Sequence, residues 1–159
     1  MRNDIKQFAY TQPLPGLAAT EALGARIAAG LGRGDAVALE GDLGAGKTAL
    51  ARAILRALGV SGAVPSPTFT LVQHYETPGL KVGHYDLYRI EDPAELDELG
   101  LDEALQEGAA LIEWPERAAG RLPADALQVR LEAAGEGRLA WLAGPARWQR
   151  IFPERTDVR

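Results

Sequence analysis

The 159-residue chain predicts an α/β fold built around a phosphate-binding loop, on three adjoining observations. Gly41-Asp42-Leu43-Gly44-Ala45-Gly46-Lys47-Thr48 fits the spacing G-x-x-x-x-G-K-[ST]. Ala36-Val37-Ala38-Leu39-Glu40, just before it, reads as a short apolar strand. Leu50, Ile54 and Leu58, just after it, recur at steps of four, the apolar stripe of a helix. Strand, glycine loop and helix in that order are what the motif's chemistry requires. The glycines let the backbone turn closely around a polyphosphate. Free amides at the helix start, aided by the helix dipole, face the phosphate oxygens. Lys47 supplies a cation to the β- and γ-phosphates, and the Thr48 hydroxyl is placed to bind Mg²⁺.

The remaining elements follow in order. Residues 5–11 predict a first strand, ended by Leu14-Pro15-Gly16. Residues 17–31 predict a helix, with Leu23, Ile27 and Leu31 on one side and Gly30, Gly32 and Gly34 stopping it. The loop's own helix runs to about Leu58, with Gly59 as its stop. Arg52 and Arg56 lie one turn apart on it and read as a solvated face. The prolines at 65 and 67 keep residues 61–70 extended. Residues 70–76 and 81–88 predict a hairpin around Pro78-Gly79. Asp92-Pro93 opens a helix that carries Leu96, Leu99, Leu101 and Leu105 and breaks near Gly100. Residues 109–113 form a buried strand, 117–125 a loop, and 127–131 with 138–143 a second hairpin across Gly135-Glu136-Gly137. The tail from Pro145 carries no assignment, and the length matches one domain, 1–159.

Composition narrows the function. There is no cysteine, hence no disulfide framework or cysteine metal site. No apolar run is long enough to span a membrane, and the first residues have no apolar signal core, so a cytoplasmic protein is expected. Net charge is −5 and only Lys6, Lys47 and Lys81 are lysines; no basic face is left to grip DNA or RNA directly. Asn-Lys-x-Asp, a common guanine-reading motif, is excluded because Asn3 is the only asparagine.

A P-loop needs an acid near the metal, commonly at the end of a buried strand. Glu113 follows four apolar residues and is assigned to metal together with Thr48; Asp86 ends a more polar strand and is assigned to orienting the attacking water. Thr68 sits where other P-loop proteins sense the γ-phosphate. Trp114 either fills the core or packs near the nucleotide. His84 shares a strand face with Asp86 and reads as structural, and Arg89 as a salt-bridge partner.

Four blocks together carry a resemblance: 41–48, Ser-Pro-Thr-Phe-Thr-Leu at 66–71, His-Tyr-Asp-Leu-Tyr-Arg at 84–89 and Ile-Glu-Trp-Pro-Glu at 112–116. They resemble the TsaE family, the bacterial ATPases of the tRNA threonylcarbamoyladenosine (t6A) pathway, over roughly residues 14–138. The resemblance implies a P-loop NTPase-like three-layer sandwich with a central mixed β-sheet. It implies that Asp42, Leu43, Gly44, Ala45, Gly46, Lys47 and Thr48 bind ATP, with Leu17 and Gly137 near the nucleotide. Thr48 and Glu113 would hold Mg²⁺, and Lys47, Asp86 and Glu113 would serve hydrolysis. The implied partners are TsaB and TsaD, the latter transferring the threonylcarbamoyl group to adenosine 37 of ANN-decoding tRNAs; tRNA would be met only through that complex. A small-molecule P-loop kinase is the competing reading; hydrolysis without an acceptor separates the two.

Overall fold

The computed structural model describes residues 8–118 and 120–153. Seven strands form one mixed sheet: β1 (Phe8–Leu14), β2 (Ala36–Glu40), β3 (Val72–Thr77), β4 (Leu80–Asp86), β5 (Gly108–Glu113), β6 (Leu127–Ala134) and β7 (Gly137–Gly144). Their order across the sheet is β1-β7-β6-β2-β5-β4-β3. The central four, β6, β2, β5 and β4, run parallel; β7 and β3 run opposite to them, and β1, paired antiparallel with β7, runs with them. β2 and β5 are buried at nearly every position, as parallel strands covered on both faces must be.

Helices α1 (Leu17–Gly30) and α2 (Lys47–Ala57) pack on one face against Val37, Leu39, Leu111, Val129 and Leu131. Their contact is close: a Cβ on Gly24 would come within 2.5 Å of the Ala53 Cβ. The other face, around Ala36, Tyr85, Ala110 and Ile112, is covered by a 3₁₀ turn at Pro93–Leu99, helix α3 (Leu101–Glu107) and a short turn at Pro115–Ala118. The molecule is thus a three-layer α/β sandwich with a mixed sheet, as expected.

Several elements differ from the sequence reading in extent. The first strand continues to Leu14 through Pro13, which an edge strand tolerates because its missing N–H need not pair; residues 5–7 lie outside the described residues. The expected strand 81–88 stops at Asp86, whose Oδ1 accepts from the backbone N–H of Tyr88 at 3.0 Å and turns the chain. The helix at Asp92-Pro93 begins as a capped 3₁₀ turn and becomes α-helical only after Gly100, the expected break. The tail is not loose up to Phe152. Trp148 and Phe152 are fully buried, and Arg26 of α1 lies over the Phe152 ring while donating to the Ile151 carbonyl at 3.0 Å.

Candidate functional site

Because β2, β5 and β4 are parallel, their carboxyl ends meet on one rim, where ligands of open α/β sheets bind. The loop 41–46 leaves β2 there, Glu113 ends β5, and Asp86 ends β4 in direct register with it. Even-numbered residues of β4 and odd-numbered ones of β5 face α2, so both acids point at that helix's first turn; Tyr85 faces the opposite layer.

Gly46 precedes α2 with φ 104°, a left-handed conformation that favours glycine, and no side chain caps the helix start. Lys47 and Thr48 open α2. The Lys47 ammonium donates to the carbonyls of Gly41 (2.6 Å) and Asp42 (2.9 Å) and lies 4.2 Å from the Trp114 ring centre. It is 4% exposed; burial pushes its pKa below the ordinary lysine value, opposed by the carboxylates of Glu113, Asp86, Glu116 and Asp42. The Thr48 hydroxyl reaches both Glu113 oxygens, at 2.9 and 3.0 Å. On its other side the Glu113 carboxylate meets Nε2 of His84 at 2.7 Å. Asp86 Oδ2 accepts from the Thr68 hydroxyl at 3.0 Å, and Thr68 in turn contacts Ser66 at 2.8 Å. Leu71, at φ 71°, closes that loop back onto the sheet: its N–H donates to Pro67 and its carbonyl accepts from Asp86.

The structure therefore brings Lys47, Thr48, Thr68, His84, Asp86, Glu113 and Trp114 to one rim. Gly137 stands beside the turn before α1, where a Cβ would come within 2.6 Å of the Leu14 carbonyl oxygen. Leu17 is 64% exposed and lines a surface groove with Ala49 and Arg52 of α2. Asp42, Leu43, Gly44 and Ala45 make up the loop itself, with Leu43 at 77% exposure at its tip. One expectation changes. Arg89 lies over the Phe69 ring at 5.0 Å, so its described partner is an aromatic face. Arg52 and Arg56 lie on an exposed face, as expected, and also donate to the carbonyls of Val64 and Val60, pinning the chain that leaves α2.

Sequence reasoning missed Arg138. Its guanidinium donates to the Ala45 carbonyl (2.8 Å) and the Gly44 carbonyl (3.0 Å), bracing the loop from outside. The only signal would have been the parallel pairing of β6 with β2, which carries the β6–β7 turn to the rim.

A glycine cradle at a helix start, a lysine and a threonine suit a polyphosphate. Thr48 and Glu113 offer hard oxygen donors of the kind Mg²⁺ takes. Among the described residues no group of three His, Cys, Asp or Glu side chains could hold a metal. Among the same residues no helix is long and apolar enough to cross a membrane.

Comparison with known proteins adds the following. Residues 14–140 match a family described as threonylcarbamoyl adenosine biosynthesis protein TsaE. A tRNA threonylcarbamoyladenosine biosynthesis protein TsaE from Bacillus subtilis is 41% identical over 118 residues, covering 74% of this chain and 73% of that protein. Its counterpart from Mycobacterium bovis is 41% identical over 133 residues, covering 77% and 78%. The Haemophilus influenzae protein of the same description is 43% identical over 103 residues, which cover 64% of this chain and 65%, just under two thirds, of that protein. A crystal structure of Bacillus subtilis YdiB superposes with a TM-score of 0.77 at 28% identity, covering 96% of this chain and 95% of that one.

Proposed function

The chain belongs to the TsaE family, and from that premise we propose that it hydrolyses ATP in the service of tRNA threonylcarbamoyladenosine formation. The observation that carries this reading is the Thr48–Glu113 contact at the start of α2, with Asp86 alongside in register. It is the arrangement of hydroxyl, acid and second acid that a P-loop hydrolase uses.

In this reading Asp42 through Thr48 cradle the phosphates, Leu17 and Gly137 flank the nucleotide, and Lys47 neutralises β- and γ-oxygens. Thr48 and Glu113 hold Mg²⁺, which when bound would offset negative charge on the phosphate oxygens. Asp86 is oriented twice over, by Thr68 and by the Tyr88 N–H, so its carboxylate keeps one direction in which to position a water. His84 fixes the Glu113 carboxylate from behind. Arg138 keeps the loop open by holding its carbonyls outward.

The proposed partners are TsaB and TsaD, in the cytoplasm, with ATP hydrolysis resetting that complex between turnovers and tRNA met only through it. The acidic charge of −5 supports the indirect contact with tRNA. The test mixes purified TsaB, TsaD, threonylcarbamoyl-adenylate and tRNA with wild-type or Lys47→Ala protein and counts modified tRNA over several turnovers. The wild type sustains repeated turnover and the variant stalls after roughly one. A variant that sustains turnover as well as wild type overturns the resetting role.

A further inference from the structure

A line of side chains leads from Lys47 to the surface. The Lys47 ammonium sits 4.2 Å from the centre of the Trp114 ring. Trp114 packs on Tyr88 with ring centres 4.9 Å apart and a 50° tilt. The Arg117 guanidinium lies over the Tyr88 ring at 5.6 Å. Three separate segments contribute: the P-loop helix, the turn after β4 and the turn after β5.

The backbone holds these segments as well. Trp114 has φ 59°, a left-handed conformation that is rare for a bulky residue and calls for support from its surroundings. Its N–H donates to the Leu39 carbonyl at 3.3 Å, in the strand that feeds the P-loop. Tyr88 orients Asp86 through its own N–H. Arg117 donates to the Ile90 carbonyl at 3.2 Å and closes the same turn from the other side. Tyr88 is 42% exposed, so burial by itself does not fix where its ring lies. The rings do something more specific. A lysine ammonium on a flexible stem takes one position only when held on several sides. Here carbonyls hold it on one side and an aromatic face on another.

We propose that Trp114 and Tyr88 are positioning residues for Lys47, and that with Arg117 they tie the P-loop cation to the turn that orients Asp86. The consequence for catalysis rests on the hydrolase reading above; the column itself does not. Tyr88 acts on Lys47 through Trp114, without touching it.

The test uses isotope-labelled, nucleotide-free full chain and reads the Lys47 ε-methylene resonances, which an aromatic face displaces from the ordinary lysine position. Trp114→Leu returns them to that position. Tyr88→Leu moves them roughly half of the way, and Tyr88→Phe, which keeps the ring, leaves them as in wild type. In hydrolysis assays Tyr88→Leu lowers kcat roughly three- to tenfold with a smaller change in KM, and Tyr88→Phe restores it. The proposal is overturned if Tyr88→Leu leaves the Lys47 resonances where wild type has them. Displaced resonances in a wild-type protein that hydrolyses nothing would uphold the column and remove the hydrolase reading instead.

Discussion

Nε2 of His84 stands 2.7 Å from Oε2 of Glu113, and both side chains are shut away from solvent, at 0% and 3% exposure. A carboxylate can only accept, so His84 donates through Nε2, and its buried Nδ1 has no partner among the described residues. Glu113 is therefore held at one oxygen by a histidine and at both by Thr48.

Removing that carboxylate strands the imidazole. Glu113→Ala is expected to destabilise the nucleotide-free protein by about 1–3 kcal/mol, the cost of a buried polar group without its partner. Glu113→Gln, which can still accept, is expected to lose less. The same Ala variant should weaken nucleotide binding in Mg²⁺ and leave binding in EDTA little changed. Urea unfolding and calorimetry read the two effects. A Glu113→Ala protein with wild-type Mg²⁺ dependence would remove Glu113 from the metal.

Asp86 carries a different expectation. Asp86→Ala should bind ATP nearly as well as wild type and hydrolyse it about 10²–10⁴-fold more slowly, the range for losing a positioned acid–base group. Loss of the Mg²⁺ dependence of binding in this variant, with that dependence kept in Glu113→Ala, would exchange the two roles.

Lys47→Ala removes the cation under Trp114 and should slow hydrolysis on the order of a hundredfold or more. Calorimetry should show ATP bound more tightly than GTP, since no Asn-Lys-x-Asp motif exists to read guanine. Equal affinity for the two nucleotides contradicts this.

Trp114 should report nucleotide through its fluorescence, because any phosphate that draws on Lys47 changes the charge 4.2 Å from its ring. Trp148 is fully buried, and Trp141 donates to Glu132, away from Lys47's own contacts. Single-tryptophan variants should show a response at Trp114 and near silence at the other two; a responsive Trp148 with a silent Trp114 would move the site elsewhere.

The alkaline limit of stability should depend on Tyr85. Its phenol is fully buried, which pushes its pKa up to about 12, with Glu103 adding in the same direction. The unfolded chain releases this proton near pH 10, the folded one near pH 12. Unfolding is thus favoured progressively as pH rises through that window, and the stability present below pH 10 falls by about 3 kcal/mol. Tyr85→Phe should flatten the fall, as urea midpoints measured from pH 9 to 12 would show. An unchanged slope would mean that other groups set it.

The P-loop was legible because everything it needs is written within a dozen consecutive residues. Glu113 and Asp86 were legible for a related reason: each ends an apolar or alternating run, and parallel strands deliver their ends to one rim. What could not be read depends on distant pairing. Arg138 reaches Gly44 and Ala45 only because β6 lies beside β2, and nothing near position 138 announces that neighbour. Trp148 and Phe152 follow a proline in a segment without periodicity, yet they are buried because β1 and α1 offer a surface for them. The end of β4 was misplaced because Leu87 and Tyr88 continue its apolar pattern while the Asp86 side chain captures the Tyr88 N–H.

The pairing of β1 with β7 has a consequence for the chain as it leaves the ribosome. Phe8 lies opposite Gly144 and Leu14 opposite Arg138, and β7 is the strand that β1 pairs with. The strand β1 must therefore wait until β7 has been made before this ladder can close. Until then Phe8, Tyr10 and Leu14, all buried in the finished molecule, remain in the open. Contacts this far apart in sequence close slowly. The newborn chain thus carries a sticky, unpaired strand until β7 has been made, and this is the interval in which a chaperone has most to do.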